Sequence, residues 1–145
     1  MRKAVRGIIF RDNHLLVMKR NKFGHFYCTL PGGGIKLGET AEHALARELN
    51  EETSLSLGDA RLVFVENAGD PYGIQYIYLV DYVSGEPQLS PKASEAIISA
   101  MGQNVYEPAW LPISELPQTT FISERLKQYI LTALQQGFPT QPQTI

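Results

Sequence analysis

The chain has a single cysteine, Cys28, so no internal disulfide framework can hold it together. Cys28 lies in the run Phe26-Tyr27-Cys28-Thr29-Leu30 and is expected to be an inert core thiol. Neither sign of charge dominates: 13 Lys and Arg stand against 15 Asp and Glu, a net charge of −2. That balance argues against a basic nucleic-acid surface as the dominant feature. No apolar run reaches the roughly 18 residues a membrane helix needs, and no cleavable leader with a long apolar stretch is evident. No membrane partner is therefore expected, and the cytoplasm is the expected compartment. No internal repeat is evident. The 145 residues suffice for one domain with a real core, expected over residues 1–136. The stretch from 137 to 145, rich in proline and glutamine, is expected to be a disordered tail. The composition leaves a homodimer open.

Apolar periodicity sketches the elements. Val5 to Phe10 and His14 to Lys19 read as strands joined by a turn at Asp12-Asn13, and Phe26 to Leu30 as a third that ends at Pro31. Thr40 is a helix cap for a segment running to about Thr53. Arg61 to Ala68 and Ile74 to Val83 are strands around Gly69-Asp70-Pro71, the second apolar on both faces and so central. Lys92 to Met101 reads as a short helix, Asn104 to Leu111 as a strand, and Ile122 to Gln135 as an amphipathic helix. A mixed sheet between helices fits this order.

The chemistry concentrates between Gly33 and Leu55, GGIKLGETAEHALARELNEETSL. Ala41, Leu45 and Leu49 recur every four residues and should face a core. Glu48 and Glu52 are also four apart and stack on an adjoining face, with Glu51 beside them and Arg47 one turn back from Glu51. One arginine cannot neutralise three carboxylates. Such a set of hard oxygen ligands suits Mg²⁺ or Mn²⁺, with substrate phosphates completing the shell. A bare ExxEE is usually a solvated helix face. The full pattern, with Gly33, Glu39 and Arg47 at fixed distances, has a chance expectation on the order of 10⁻⁶ per chain.

Gly33, Glu39, Arg47, Glu48, Leu49, Glu51, Glu52 and Leu55 together resemble the signature box of the Nudix hydrolases, G-x5-E-x7-R-E-U-x-E-E-x-G-U, where U is a bulky apolar residue. Ser54 departs, since the family has glycine there. Keeping the left-handed turn at that position would cost a serine about 1 kcal/mol. The resemblance implies an α/β fold, the Nudix-type α/β/α sandwich with a mixed β-sheet. It also implies hydrolysis of a diphosphate linkage in a nucleoside diphosphate derivative or nucleoside triphosphate. By the same resemblance, Glu48 and Glu52 are direct metal ligands and Glu51 a further ligand or the base. Arg47 orients Glu51, and Glu39 supports the metal shell or its loop.

Other residues carry weaker signals. Gly32, Gly33 and Gly34 can bring backbone N–H groups close to a phosphate, and Arg20, like Lys19, closes a strand where it can hold one. Members of the family often carry a further carboxylate beyond the box. Glu107, on the strand leading to Trp110, is the expected one and a candidate base, with Glu95 and Glu86 as alternatives. Phe23, His25 and Tyr27 can stack on a base or simply pack. Pro71 and Tyr72 fall where Nudix subfamilies carry substrate markers, for ADP-ribose and dinucleoside polyphosphates respectively. A plain turn explains both. The expected partner is a nucleotide-type small molecule. The competing classes are a non-catalytic nucleotide-sensing domain, which loss of a box glutamate would favour, and an RNA 5′-end pyrophosphohydrolase, which would want a basic groove.

Overall fold

In the computed structural model, which describes residues 1–145, the first hairpin joins β1 (Lys3–Arg11) to β2 (His14–Lys22) through Asp12, whose φ of 51° supplies the tight reversal. β3 (His25–Thr29) folds back on β2, and β4 (Gly32–Gly34) pairs antiparallel with β1. α1 (Ala41–Thr53) follows, capped by Thr40 Oγ1, which accepts from His43 N at 3.1 Å. β5 (Ser56–Asn67) and β6 (Ile74–Ser84) form an antiparallel pair, and β6 runs parallel to β1. α2 (Ser94–Ser99), β7 (Asn104–Pro112), a 3₁₀ turn at Ile113–Gln118 and α3 (Glu124–Gln136) complete the body. β7 pairs with β2 along its whole length.

With a last short strand β8 (Gln143–Thr144), the strand order β3-β2-β1-β6-β5-β8 puts β6 inside the sheet, as its two apolar faces require. The period of two divides each central strand between two cores. Val5 and Ile9 of β1, Leu16 of β2 and Tyr78 of β6 pack with Ala44, Leu45 and Leu49 of α1. Ile8, Leu15, Val17 and Ile77 point the other way, onto Leu126, Ile130 and Ala133 of α3. This is a mixed sheet between helices, the sandwich expected. No helix is long and apolar enough to cross a membrane.

Three features differ from expectation. The last helix starts at Glu124, not Ile122, because Ser123 Oγ accepts from Leu126 N at 3.0 Å and so fixes the cap. Gly32–Gly34 forms the short strand β4, which three consecutive glycines, carrying no apolar pattern, do not signal. The segment after Gly137 is ordered in the structure: the Phe138 ring lies 6.0 Å from Phe10 and 6.2 Å from Phe64. Residues Gln143–Thr144 then form β8, parallel to β5. Two apolar residues, Phe138 and Ile145, outweigh the polar composition by packing against the α3-side core.

Candidate active site

Arg47 organises the box. Its Nε and Nη2 grip the Glu39 carboxylate at 2.7 and 2.8 Å, Nη2 also donates to the Gly34 carbonyl at 3.1 Å, and Nη1 donates to Glu48 Oε1 at 2.9 Å. Glu51 Oε2 is farther off, at 3.6 Å. The arginine therefore ties the loop carrying Gly34 to Glu39 onto α1, and orients Glu48 rather than chiefly Glu51. The Arg47 N–H groups, followed by the Lys36 backbone N–H, hold the Glu39 carboxyl down at about 2.

Gly32–Gly34 runs beside β1 and lets α1 approach. At Gly33 a Cβ would come within 2.6 Å of the Glu48 carboxylate, so a side chain there would displace the glutamate. At Gly32 the φ of 145° and the Val5 carbonyl, 2.0 Å from where a Cβ would sit, admit glycine only. The Gly32 N–H donates to Glu52 Oε1 at 2.7 Å and so orients a carboxylate rather than waiting for a phosphate.

Glu48 and Glu52 are both buried, at 7% and 4% exposure. Burial pushes the Glu48 carboxyl up, against the pull of Arg47. It pushes Glu52 up to about 8, opposed by the Gly32 N–H and the positive charge of Arg6. Glu48 Oε2 is sealed from solvent and has no hydrogen-bond partner. Leaving a buried carboxylate oxygen unpaired is costly, so the position calls for a cation. The third carboxylate brought to them is Glu95, at the start of α2, with ligand oxygens of all three within 4.8 Å of one another. This donor set, all hard oxygen and partly dry, fits Mg²⁺ or Mn²⁺.

Two of the expected residues lie apart from this trio. Glu51 lies outside this trio, half-exposed beside Arg47. Glu107 is exposed and opposite Lys19 on β2, on the far face of β7 from Tyr106, so strand alternation turns it away from the cavity. Glu86 pairs with Arg11 at 2.7 Å, also away from the cavity.

The trio opens into a cavity of about 390 Å³, which Gly32, Gly33 and Gly34 also line. Arg20 lines it, its guanidinium 3.6 Å from the Tyr106 ring centre and 5.6 Å from that of Tyr27. Phe23, His25 and Phe26 are exposed at the β2–β3 hairpin and do not reach it, whereas Tyr72 lies on its rim. Sequence reasoning missed Arg2, Arg6, Glu66 and Gln75, which line its other walls. Arg6 donates to Gln75 Oε1 at 3.0 Å and to the Leu30 and Gly32 carbonyls. The available signal was a charge inside an otherwise apolar strand: Arg6 in Ala4–Phe10, Glu66 after Leu62–Val65.

A family model described as NUDIX domain matches residues 1–131. The chain is 33% identical over 133 residues to an ADP-ribose pyrophosphatase of Methanocaldococcus jannaschii, covering 88% of this chain and 72% of that one. It is 30% identical over 110 residues to the NAD-capped RNA hydrolase NudC of Edwardsiella ictaluri, covering 76% of this chain but only 38% of that longer protein. The crystal structure of a MutT NUDIX hydrolase from Burkholderia pseudomallei superposes with a TM-score of 0.65 at 26% identity, covering 87% of this chain and 94% of that one.

Proposed function

The chain belongs to the Nudix hydrolase family, and from that premise we propose that Glu48, Glu52 and Glu95 hold Mg²⁺ or Mn²⁺ against the diphosphate of a small nucleotide substrate. The substrate is a nucleoside diphosphate derivative or a nucleoside triphosphate, hydrolysed in the cytoplasm. The observation that carries this reading is the sealed, unpaired Glu48 oxygen beside two further carboxylates at a cavity lined by arginines. A divalent cation bound there would screen the phosphate charge and polarise the scissile phosphorus.

The chain's own groups do the rest. Gly32 N–H and Arg47 keep Glu52 and Glu48 in fixed orientations. Arg6 and Arg20 face the cavity and would bind the phosphate oxygens not held by the cation. Water forms the new P–O bond as the bridging P–O bond breaks, and its proton passes to a carboxylate. We assign that role to Glu95, which is half-buried and borne on a six-residue helix, in contrast to the fixed pair on α1. Glu51 remains an outer carboxylate. All box glutamates are kept, which speaks against a purely sensing domain.

The test is a panel of nucleoside triphosphates, ADP-ribose, nucleotide sugars, dinucleotides and capped RNA, assayed for phosphate products. Hydrolysis of at least one small nucleotide is expected with Mg²⁺ or Mn²⁺ and none in excess EDTA. Undiminished turnover in chelator would remove the metal assignment, and turnover confined to capped RNA would replace the small-molecule one.

A further inference from the structure

Four residues stand in one row across adjacent strands: Gly34 of β4 opposite Ala4 of β1, Ala4 beside Gln75 of β6, and Gln75 opposite Glu66 of β5. Three strand spacings separate the ends of the row, about 14 Å. One end adjoins the glycine segment under Glu48 and Glu52. At the other, Glu66 is a carboxylate only 3% exposed, yet it lines the same cavity. Its Oε2 accepts from Ser123 Oγ at 2.5 Å. Its Oε1 has no protein donor and is not sealed off, so it opens onto the cavity. No lysine, arginine or histidine forms an ion pair with it. A buried charge left with one bare oxygen calls for a donor from elsewhere.

No neighbouring polar group donates to it. Gln75 Oε1 accepts from Arg6, and its Nε2 is turned to the Tyr72 carbonyl at 2.6 Å, leaving its second N–H without a bond to Glu66. Ser123 Oγ already serves Glu66 and Leu126 N. Ala68, Ile122 and Leu126 add apolar surface to the same cavity. An acceptor in the wall of the same cavity, at the far end of that row from the glycine segment under the trio, suits a flat ring carrying an amino group.

We propose that Glu66 is the base-reading residue of this cavity: its open Oε1 accepts from the exocyclic amino group of adenine, cytosine or guanine. Uracil offers only an N–H flanked by two carbonyl oxygens, which a carboxylate repels. The assignment rests on the diphosphate reading of the trio, since that fixes which end of a nucleotide lies at Glu66.

Calorimetric binding of AMP, CMP, GMP, UMP, dAMP and ribose 5-phosphate to the intact chain with Mg²⁺ tests it. The three amino-bearing nucleotides should bind at least about tenfold tighter than UMP, and dAMP as well as AMP. Glu66→Gln can still accept the Ser123 hydroxyl proton, but presents an amide N–H to the ring. It should reduce the preference below about threefold or reverse it. Ser123→Ala, which keeps the carboxylate, should leave the preference in place and so separates base reading from a disturbed fold. Unchanged discrimination in Glu66→Gln overturns the proposal. So does a loss that follows the 2′-hydroxyl instead, with dAMP weaker than AMP and all bases equal, or failure of every nucleotide to bind more tightly than ribose 5-phosphate. The same panel stays readable if wild type shows no Mg²⁺-dependent hydrolysis, an outcome that defeats the diphosphate reading alone.

Discussion

Arg47 directs its fork at Glu39, Glu48 and the Gly34 carbonyl, so the side chain that most stabilises the box touches the cation cage from behind. Glu48 and Glu52 are thereby held by fixed partners, while Glu95 comes from a separate short helix and bonds only to its neighbour, Ser94 Oγ, at 2.9 Å. Position on a strand decides the opposite fate for Glu107, which faces solvent across from Lys19. Glu95→Gln is therefore expected to lower kcat by at least about 10²-fold, as for loss of a group that positions a catalytic ion or takes the water proton. Glu107→Gln should stay within about twofold of wild type, as surface substitutions away from a site do. Steady-state kinetics with saturating Mg²⁺ on the best substrate of the panel decide it. A larger loss from Glu107→Gln would return the outer carboxylate to β7.

The C-terminal end of α1 and the loop ahead of α2 act as one element. Ser54 adopts the left-handed conformation at φ 57°, where the family has glycine, and its Oγ donates to the Gln88 carbonyl at 2.7 Å. Gln88 N and Ser90 N donate back to the Thr53 and Glu51 carbonyls at 2.8 and 2.7 Å. Carbonyls that a helix end leaves open are thus capped by the loop that delivers Glu95. Ser54→Gly should relieve up to about 1 kcal/mol of backbone strain yet lower kcat several-fold by loosening that loop, with KM less affected. Thermal unfolding and kinetics on one preparation test both halves, and an unchanged kcat would make the Ser54–Gln88 bond dispensable. α1 was legible because its cap, its apolar stripe and its carboxylates all follow local spacing within one helix. Glu95 is not singled out by the sequence because α2 is six residues long with no buried residue, and nothing in its own pattern says which way the preceding loop carries it. Arg6 and Glu66 escaped for a related reason: their partners lie 69 and 57 residues away, so no local period marks them.

Across the whole molecule two cores pack on either side of the sheet, and the carboxylate trio is where burial of charge works against folding. The Glu52 carboxyl, lifted to about 8 from an ordinary 4.5 by burial, binds a proton in the folded chain over a range where the unfolded chain has released it. Without metal, this group contributes stability that is complete below about pH 4.5 and is lost as pH rises to about 8. Glu48, raised for the same reason, adds in the same direction. Glu39 acts in a separate window, below 4.5, where protonating its Arg47-bound carboxylate removes stability as pH falls toward 2. Metal binds the deprotonated pair, so its stabilising effect should grow as the competing protons leave. The melting temperature in EDTA should accordingly fall between pH 5.5 and 8, while the increment from added Mg²⁺ rises over the same interval. In Glu52→Gln, which carries no charge there at any pH, the metal-free slope should flatten and the metal-free protein should melt above wild type at pH 8. Calorimetric scans at pH 5.5, 7 and 8, with EDTA and with Mg²⁺, measure all of this. A wild-type melting temperature that climbs with pH in EDTA, or a slope that Glu52→Gln leaves unchanged, would show that the trio is already compensated within the protein and needs no cation to relieve it.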